Sequence, residues 1–355
     1  VTPSPEEAGF AKKQSGGRWR RWGPWIGGII GIAALLWVFG RIDYDRFLAM
    51  LAGANLGFLL MVPAAMACEQ LLRAWKWRQL LYPIRPVGPF HLFGAIMGGY
   101  FANLIIPIGA SPVVRSWLVA RRQGLSTSSV LATVAIDRVI DGIVFTGFVP
   151  VVLILMAVPD PTGAISAGLS WGAGGSFILL VLLLLGLARY RLHAQHGTGW
   201  LGWCVDRLPR RLVAPARRFA RSFAVGIVWP QEQWRRVGIV LASVVSKLIA
   251  ATHFLWAGLA IGVLLQPVEY LFLLVVFGFL AVVTHFARIT AGFTVGAVFA
   301  LGVLGLSEEQ ALAMVLTVQV ANMLTVTVIG APVLWLRNVS LRELRAVGDN
   351  DARCG

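Results

Sequence analysis

Apolar residues along this chain fall into long runs that are nearly free of charge. They lie at about 24–40, 54–72, 88–106, 127–157, 168–188, 237–262, 268–286 and 310–336. Several reach about 20 residues, the length an α-helix needs to cross the hydrocarbon core of a bilayer. Two shorter runs, 111–120 and 291–304, are too short to cross alone. Lipid offers the backbone no hydrogen bonds, so such runs span as helices that satisfy themselves. The pattern predicts an all-α polytopic membrane protein. One long polar stretch interrupts it at 189–236, rich in Arg and Trp. That mixture suits the headgroup layer, with indoles at the interface and guanidinium groups facing anionic lipid.

The positions of Lys and Arg turn the runs into a topology. Five lie in the N-terminal tail, four at 73–87, ten at 189–236 and four after 336. The positive-inside rule places these segments, and both termini, in the cytoplasm. The connections near 41–53, 158–167, 263–268 and 305–310 are expected outside. With 73–87 and 189–236 on one side and two crossings between them, 88–122 contributes an even number of crossings. The segment 111–122 is short and carries three Arg, so the expectation is a re-entrant hairpin over 88–122. The same logic makes 268–304 a hairpin entering from outside. The tips carry Pro107, Gly109 and Pro112 in one case and Gly292 and Gly296 in the other, residues that suit broken helices.

A shift of 181 residues aligns the halves. Gly124-Leu125-Ser126 falls on Gly305-Leu306-Ser307, Leu131-Ala132 on Leu312-Ala313, and Ile108 and Ala110 on Ile289 and Ala291. Each half reads hairpin, Gly-Leu-Ser turn, long helix. The first hairpin opens to the cytoplasm and the second outward, so the expectation is two inverted-topology repeats, as in many transporters. The predicted organisation is a basic tail at 1–23, a first membrane repeat at 24–188, a basic interfacial segment at 189–236, a second repeat at 237–336 and a tail at 337–355.

Polar residues inside the runs are the candidate chemistry. Ser126 and Ser307 read as helix caps, and Ser307 with Gln310 as a capping box. Asp137 then lies about 17 Å into its helix, with Asp141 one turn deeper on the same face. Arg138 stands three positions from Asp141, within reach of a local ion pair. Intramembrane ionisable groups mark pathways or cavities. In the other half, Lys247 is a possible partner for Asp137 or Asp141, and His253, His285 and Arg288 add polarity. Gln319 and Asn322 occupy the frame where the first half has charges. Arg115 and Arg288 flank the hairpin breaks, where helix ends favour anions; Asn103 is placed to satisfy backbone freed by Pro107. The sequence "RAWKWR" at 73–78 reads as an aromatic and basic interfacial anchor.

Composition sharpens this reading. The chain is 57% hydrophobic and 13% charged, with mean hydropathy +0.75; soluble domains carry about a quarter charged residues. A net charge of +15 would suggest nucleic acid in a soluble protein, but here it follows from the basic loops, and no nucleic-acid partner is expected. Cys68, Cys204 and Cys354 form no disulfide framework. HExxH, Walker and credible GxSxG motifs are missing. The expectation is a non-enzyme without metal or cofactor.

The elements "LLRAWKWRQLL", "NLIIPIGASPVVRSWL" and the following "GLS…DRVID" resemble the flippase-like membrane family related to the transmembrane region of lysylphosphatidylglycerol synthases. The resemblance covers about residues 24–336. It implies a helical membrane protein of bacterial or archaeal type, with members tied to lipid translocation across the inner membrane, and with Asn103 and Pro107, Arg115, and Asp137, Arg138 and Asp141 at the family's polar positions; a bacterial inner membrane is the expected location. Ser111 and Pro112 stand where the family commonly has Gly followed by Asp or Glu. A later Pro-Gly-Gly…Glu element is replaced by "RITAGFTVGA". Residues 337–355 alone follow the last run, so lysyl transfer is not expected. The implied partners are membrane lipids, phosphate-bearing or isoprenoid, with a lipid-synthesis enzyme as a further candidate. The expected function is a lipid translocase; the alternative is a scaffold for a lipid- or glycan-synthesis enzyme.

Overall fold

The computed structural model describes residues 36, 40–105, 111–156, 163–194, 210–287, 290–337, 339 and 343. Among these residues there are eleven α-helices and no strand. We number them α1 (Tyr44–Ala52), α2 (Leu56–Leu81), α3 (Pro89–Ile105), α4 (Ser111–Gln123), α5 (Thr127–Leu155), α6 (Ala164–Ala194), α7 (Arg210–Gly226), α8 (Gln233–Ala260), α9 (Pro267–Ala287), α10 (Thr290–Val303) and α11 (Glu308–Leu336). Of these, α2, α5, α8, α11 and residues 167–191 of α6 are long and apolar enough to cross a membrane. The protein is a multi-pass membrane protein. Helices α3 and α4 have 17 and 13 residues, and the apolar stretches of α9 and α10 are likewise short, at Pro267–Val282 and Gly292–Val303. The expected first helix at 24–40, apart from residues 36 and 40, and residues 106–110 and 288–289 near the expected hairpin tips lie outside the described residues; Pro112, Gly292 and Gly296, expected at breaks, lie instead within α4 and α10.

Local chemistry sets the helix starts. Asn55 Oδ1 accepts from the Gly57 and Phe58 amides and opens α2. Ser126 Oγ accepts from Ser129 N and opens α5. Ser307 and Gln310 form the reciprocal capping box at α11. Before both of these last two caps the chain turns through a left-handed glycine, Gly124 at φ +65° and Gly305 at φ +86°, where a side chain would be strained. Helices α5 and α11 each have 29 residues, and their starts and ends are both 181 residues apart.

Two polar connections are more helical than expected. The 41–53 connection contains α1, capped by Asp43. The 189–236 segment contains α7, and α8 starts at Gln233 rather than at 237. Helix α6 continues to Ala194. Hydropathy marks the part of a helix that suits lipid, whereas backbone hydrogen bonding propagates until a cap stops it.

The membrane helices pack in a matched pattern. Helix α2 lies along α8. Around that pair, α3 packs on α11 and α9 on α5; α4 on α5 and α10 on α11; α2 on α3 and α8 on α9. Exchanging α2 with α8, α3 with α9, α4 with α10 and α5 with α11 maps each of these packings onto another. Helix α7 sits on α5 and α6, and α1 on α11.

Surface and interior are reversed relative to a soluble protein. Ile154, Trp171 and Leu336 are exposed by 82%, 83% and 73%, while Lys76, Asp137 and Asp141 are exposed by 5% or less. So broad an apolar surface is stable only against lipid. Close helix approach depends on small residues. A Cβ at Gly330 of α11 would stand 2.5 Å from the Met97 carbonyl oxygen of α3, whereas one at Gly174 of α6 meets nothing within 4 Å. Gly330→Val is therefore expected to destabilise the purified protein by about 1–3 kcal/mol through overpacking. Gly174→Val should leave its melting curve in place, and equal melting of the two variants would contradict the packing described.

Candidate functional site

Three helices bring charges together in the interior. Helix α2 places Glu69, Arg73 and Lys76 on one face, at positions i, i+4 and i+7. Helix α5 places Asp137 and Asp141 one turn apart, and α4 contributes Arg115. Lys76 Nζ lies 2.7 Å from Asp137 Oδ1 and 2.5 Å from Asp141 Oδ1. It also donates to Ser243 Oγ of α8 at 3.2 Å. The ammonium is hydrogen-bonded to Asp141 and Ser243, whereas toward Asp137 it makes an ion pair without a hydrogen bond, and Asp137 Oδ1 is buried with no donor. Arg73 pairs with Glu69 at 2.8 Å and reaches Asp141 Oδ2 at 3.5 Å. Glu69 Oε2 lies 3.7 Å from His253 Nε2 of α8. Arg115 Nη2 stands 3.9 Å from Asp137 Oδ2.

The cluster is braced by aromatic contacts. The Arg115 guanidinium lies over the Trp77 ring at 5.2 Å, and Trp77 Nε1 donates to Thr133 Oγ1 of α5 at 2.9 Å. Nε and Nη2 of Arg115 are buried without a hydrogen-bond acceptor, as is Ser111 Oγ one turn earlier. Gly99 of α3 lets this turn approach: its Cβ would lie 3.1 Å from that of Arg115.

Several expectations are corrected here. Lys76 and Trp77 of "RAWKWR" are not an interfacial anchor, for they are 0% and 1% exposed. Arg138 does not pair with Asp141. Asp137 and Asp141 face α2, and Arg138 is about 100° around the helix from Asp137, on an exposed face where it approaches the Tyr100 hydroxyl of α3. Lys247 forms no ion pair with either aspartate among the described residues. It is half-buried, 5.8 Å from the Phe145 ring, and feels Asp141 and Glu69 only at longer range.

The other candidates distribute as follows. Asn103 lies near the end of α3, with Oδ1 buried and unpartnered. Gln319 donates to Thr294 Oγ1 at 3.1 Å, tying α11 to α10. Asn322 is exposed. No hydrogen bond or ion pair among the described residues joins Gln319 or Asn322 to the cluster. His285 is on α9 with its side chain outside the described residues, and Arg288 is outside them. Among the described residues no group of three His, Cys, Asp or Glu could hold a metal ion. Glu69, Arg73, Lys76, Trp77 and Ser243 were missed as site residues. Their signal was the helical spacing of Glu69, Arg73 and Lys76, which puts a charged stripe on a helix long enough to span.

The family model of the lysylphosphatidylglycerol synthase transmembrane region matches residues 25–330. The chain belongs to this family. Glycosyltransferase AglD of Haloferax volcanii is 26% identical over 152 residues, 42% of this chain and 24% of AglD. The chain therefore spans about a quarter of that curated relative. No solved structure matches it. Asn103, Arg115 and the two aspartates lie on α3, α4 and α5, and α2 supplies Lys76 and Arg73 as counter-charges to the aspartates.

Removing one partner of a buried pair costs about 3–5 kcal/mol, because the other charge stays desolvated. Lys76→Met is accordingly expected to lower the melting temperature strongly, and Lys76→Met with Asp141→Asn should recover part of the loss. Thermal unfolding in detergent checks both; a Lys76→Met protein as stable as wild type contradicts the ion cluster.

Proposed function

We propose that this protein is a lipid translocase that receives a polar or anionic headgroup beside α3 and α5. The observation that carries this reading is the exposed Arg138 next to an interior cluster that is already balanced. Arg73, Lys76 and Arg115 offset Glu69, Asp137 and Asp141. Arg138 and Lys247 form no ion pair among the described residues, and both are near enough to act on the charges of the cluster. Positive charge left over at membrane depth calls for an anion, and a phosphate-bearing headgroup brings one. Arginine offers a planar fork of donors for such a group, and Tyr100 beside it offers a hydroxyl. The family match favours a lipid-linked role. The chain binds and moves its lipid in this reading and performs no bond chemistry.

In this proposal α2–α5 and α8–α11 form two inverted repeats, with α3–α4 and α9–α10 as re-entrant hairpins. The matched packing under exchange of the halves supports this, as do the equal lengths of α5 and α11. The protein would sit in a bacterial inner membrane with both termini cytoplasmic, on the distribution of Lys and Arg.

A second reading, a membrane scaffold for a glycan-synthesis enzyme, is favoured by the glycosyltransferase name of one relative. Transport in proteoliposomes separates the two. A charge-assisted hydrogen bond to Arg138 is worth enough that Arg138→Gln should slow translocation of a fluorescent phosphatidylglycerol about tenfold or more, with unfolding unchanged. Loss of partner activity on deleting 189–236, with Arg138→Gln harmless, would favour the scaffold instead.

A further inference from the structure

Helix α7 carries a second cationic surface that the interior site does not use. Arg217, Arg218 and Arg221 are exposed and fall within an arc of about 100° on a helix of 3.6 residues per turn. Together with Val213 and Ala214 they line a cavity of about 470 Å³. The opposite arc, with Ala220 and Phe223, is turned toward α5 and α6. Tyr190 Oη of α6 donates to the Ala220 carbonyl at 2.6 Å. Ser129 Oγ of α5 donates to the Ser222 carbonyl at 2.6 Å. At Gly226 the two backbones nearly touch: a Cβ there would lie 2.0 Å from the Ser129 carbonyl oxygen. The last turn of α7 is thus fixed to the first turn of α5, eight residues before Asp137.

This anchoring places α7 at the end of the bundle where α5 starts, α6 ends and α8 starts. Val225, on the arginine face, and Phe219, about 100° round the helix from Arg218, are exposed by 62% and 51%. Phe219 stacks on Phe223 at 5.8 Å, so its half-exposed ring sits where the arginine face meets the face turned toward α5 and α6. Guanidinium groups flanked by outward apolar side chains, on a helix tied to span ends, match a headgroup layer: phosphates for the arginines and the acyl boundary for Phe219. A nucleic acid or an acidic protein would satisfy the arginines and leave Phe219 and Val225 in water.

We propose that α7 docks on the anionic phospholipid surface of the leaflet at this end of the bundle. Each basic residue near such a surface strengthens the attraction about fivefold, and the effect fades with salt. The docking is independent of what the interior site carries.

The test is hydrogen exchange of the full chain in nanodiscs of phosphatidylcholine alone or with phosphatidylglycerol. Residues 210–221 are expected to exchange several-fold more slowly in the anionic discs, and high salt should remove the difference. The triple variant Arg217→Gln, Arg218→Gln, Arg221→Gln should also lose it, with α5 peptides unchanged as the control for folding. Residues 222–226 should stay protected in both discs. Equal exchange in the two discs would overturn the proposal, as would protection retained by the triple variant. Protection reproduced in neutral discs by inorganic phosphate or by an oligonucleotide would overturn it too, by showing a soluble ligand in place of a surface.

Discussion

The interior of this protein turns on one ammonium group. Lys76 is wholly buried, and it is held between two aspartates and a serine from two other helices. Desolvating an ion costs several kcal/mol, and attraction inside the protein offsets this only when geometry is good and the remaining donors are bonded. Lys76 has both carboxylates within 2.7 Å and two of its donors bonded, to Asp141 and Ser243. The consequence is geometric: α2 and α5 cannot shift relative to one another without pulling Asp137 and Asp141 from Lys76, and α8 is tied to the same ammonium through Ser243. Arg73 and Glu69 extend the same constraint along α2, and Arg115 extends it to α4.

That constraint divides the charged residues into two kinds. Those facing α2 neutralise one another and hold helices in place. Arg138, on the next face of the same helix, is spared from pairing and stays exposed beside Tyr100. A rigid, balanced interior next to an unbalanced cation is a suitable arrangement for recognising an anion, because the cation need not abandon an internal partner to do so. Arg115 is the intermediate case. It is buried at 2% exposure, stacked on Trp77, yet two of its nitrogens lack acceptors.

The matched packing of the halves does not extend to their chemistry. At the spacing of 181 residues, Asp137, Arg138 and Asp141 fall on Val318, Gln319 and Asn322. The first half joins α4 to α5 through Arg115 and Asp137, and the second joins α10 to α11 through a neutral bond from Gln319 to Thr294. Neutral bonds between membrane helices are worth about 1 kcal/mol, so the second connection is the one more readily broken. The counter-charges of Asp137 and Asp141 also come from the first half, through Lys76 and Arg73, and not through Lys247.

Much of the fold was legible along the chain. Apolar runs located the spans, because lipid admits only segments that satisfy their own backbone. The caps at Ser126 and Ser307 and the turns at Gly124 and Gly305 were readable too, because they depend on neighbours a few residues away. The polar positions Asp137, Asp141 and Arg115 stood out for their cost in hydrocarbon. Partner choice was not legible. "RAWKWR" has the composition of an anchor, and only the close packing of α2 along α8 and against α5 buries Lys76 and leaves Arg138 outside. Hydropathy and capping are local properties, fixed by sequence. An ion pair between residues 61 or 65 positions apart is decided by where helices cross and how they are rotated, and that is set by the tertiary structure alone.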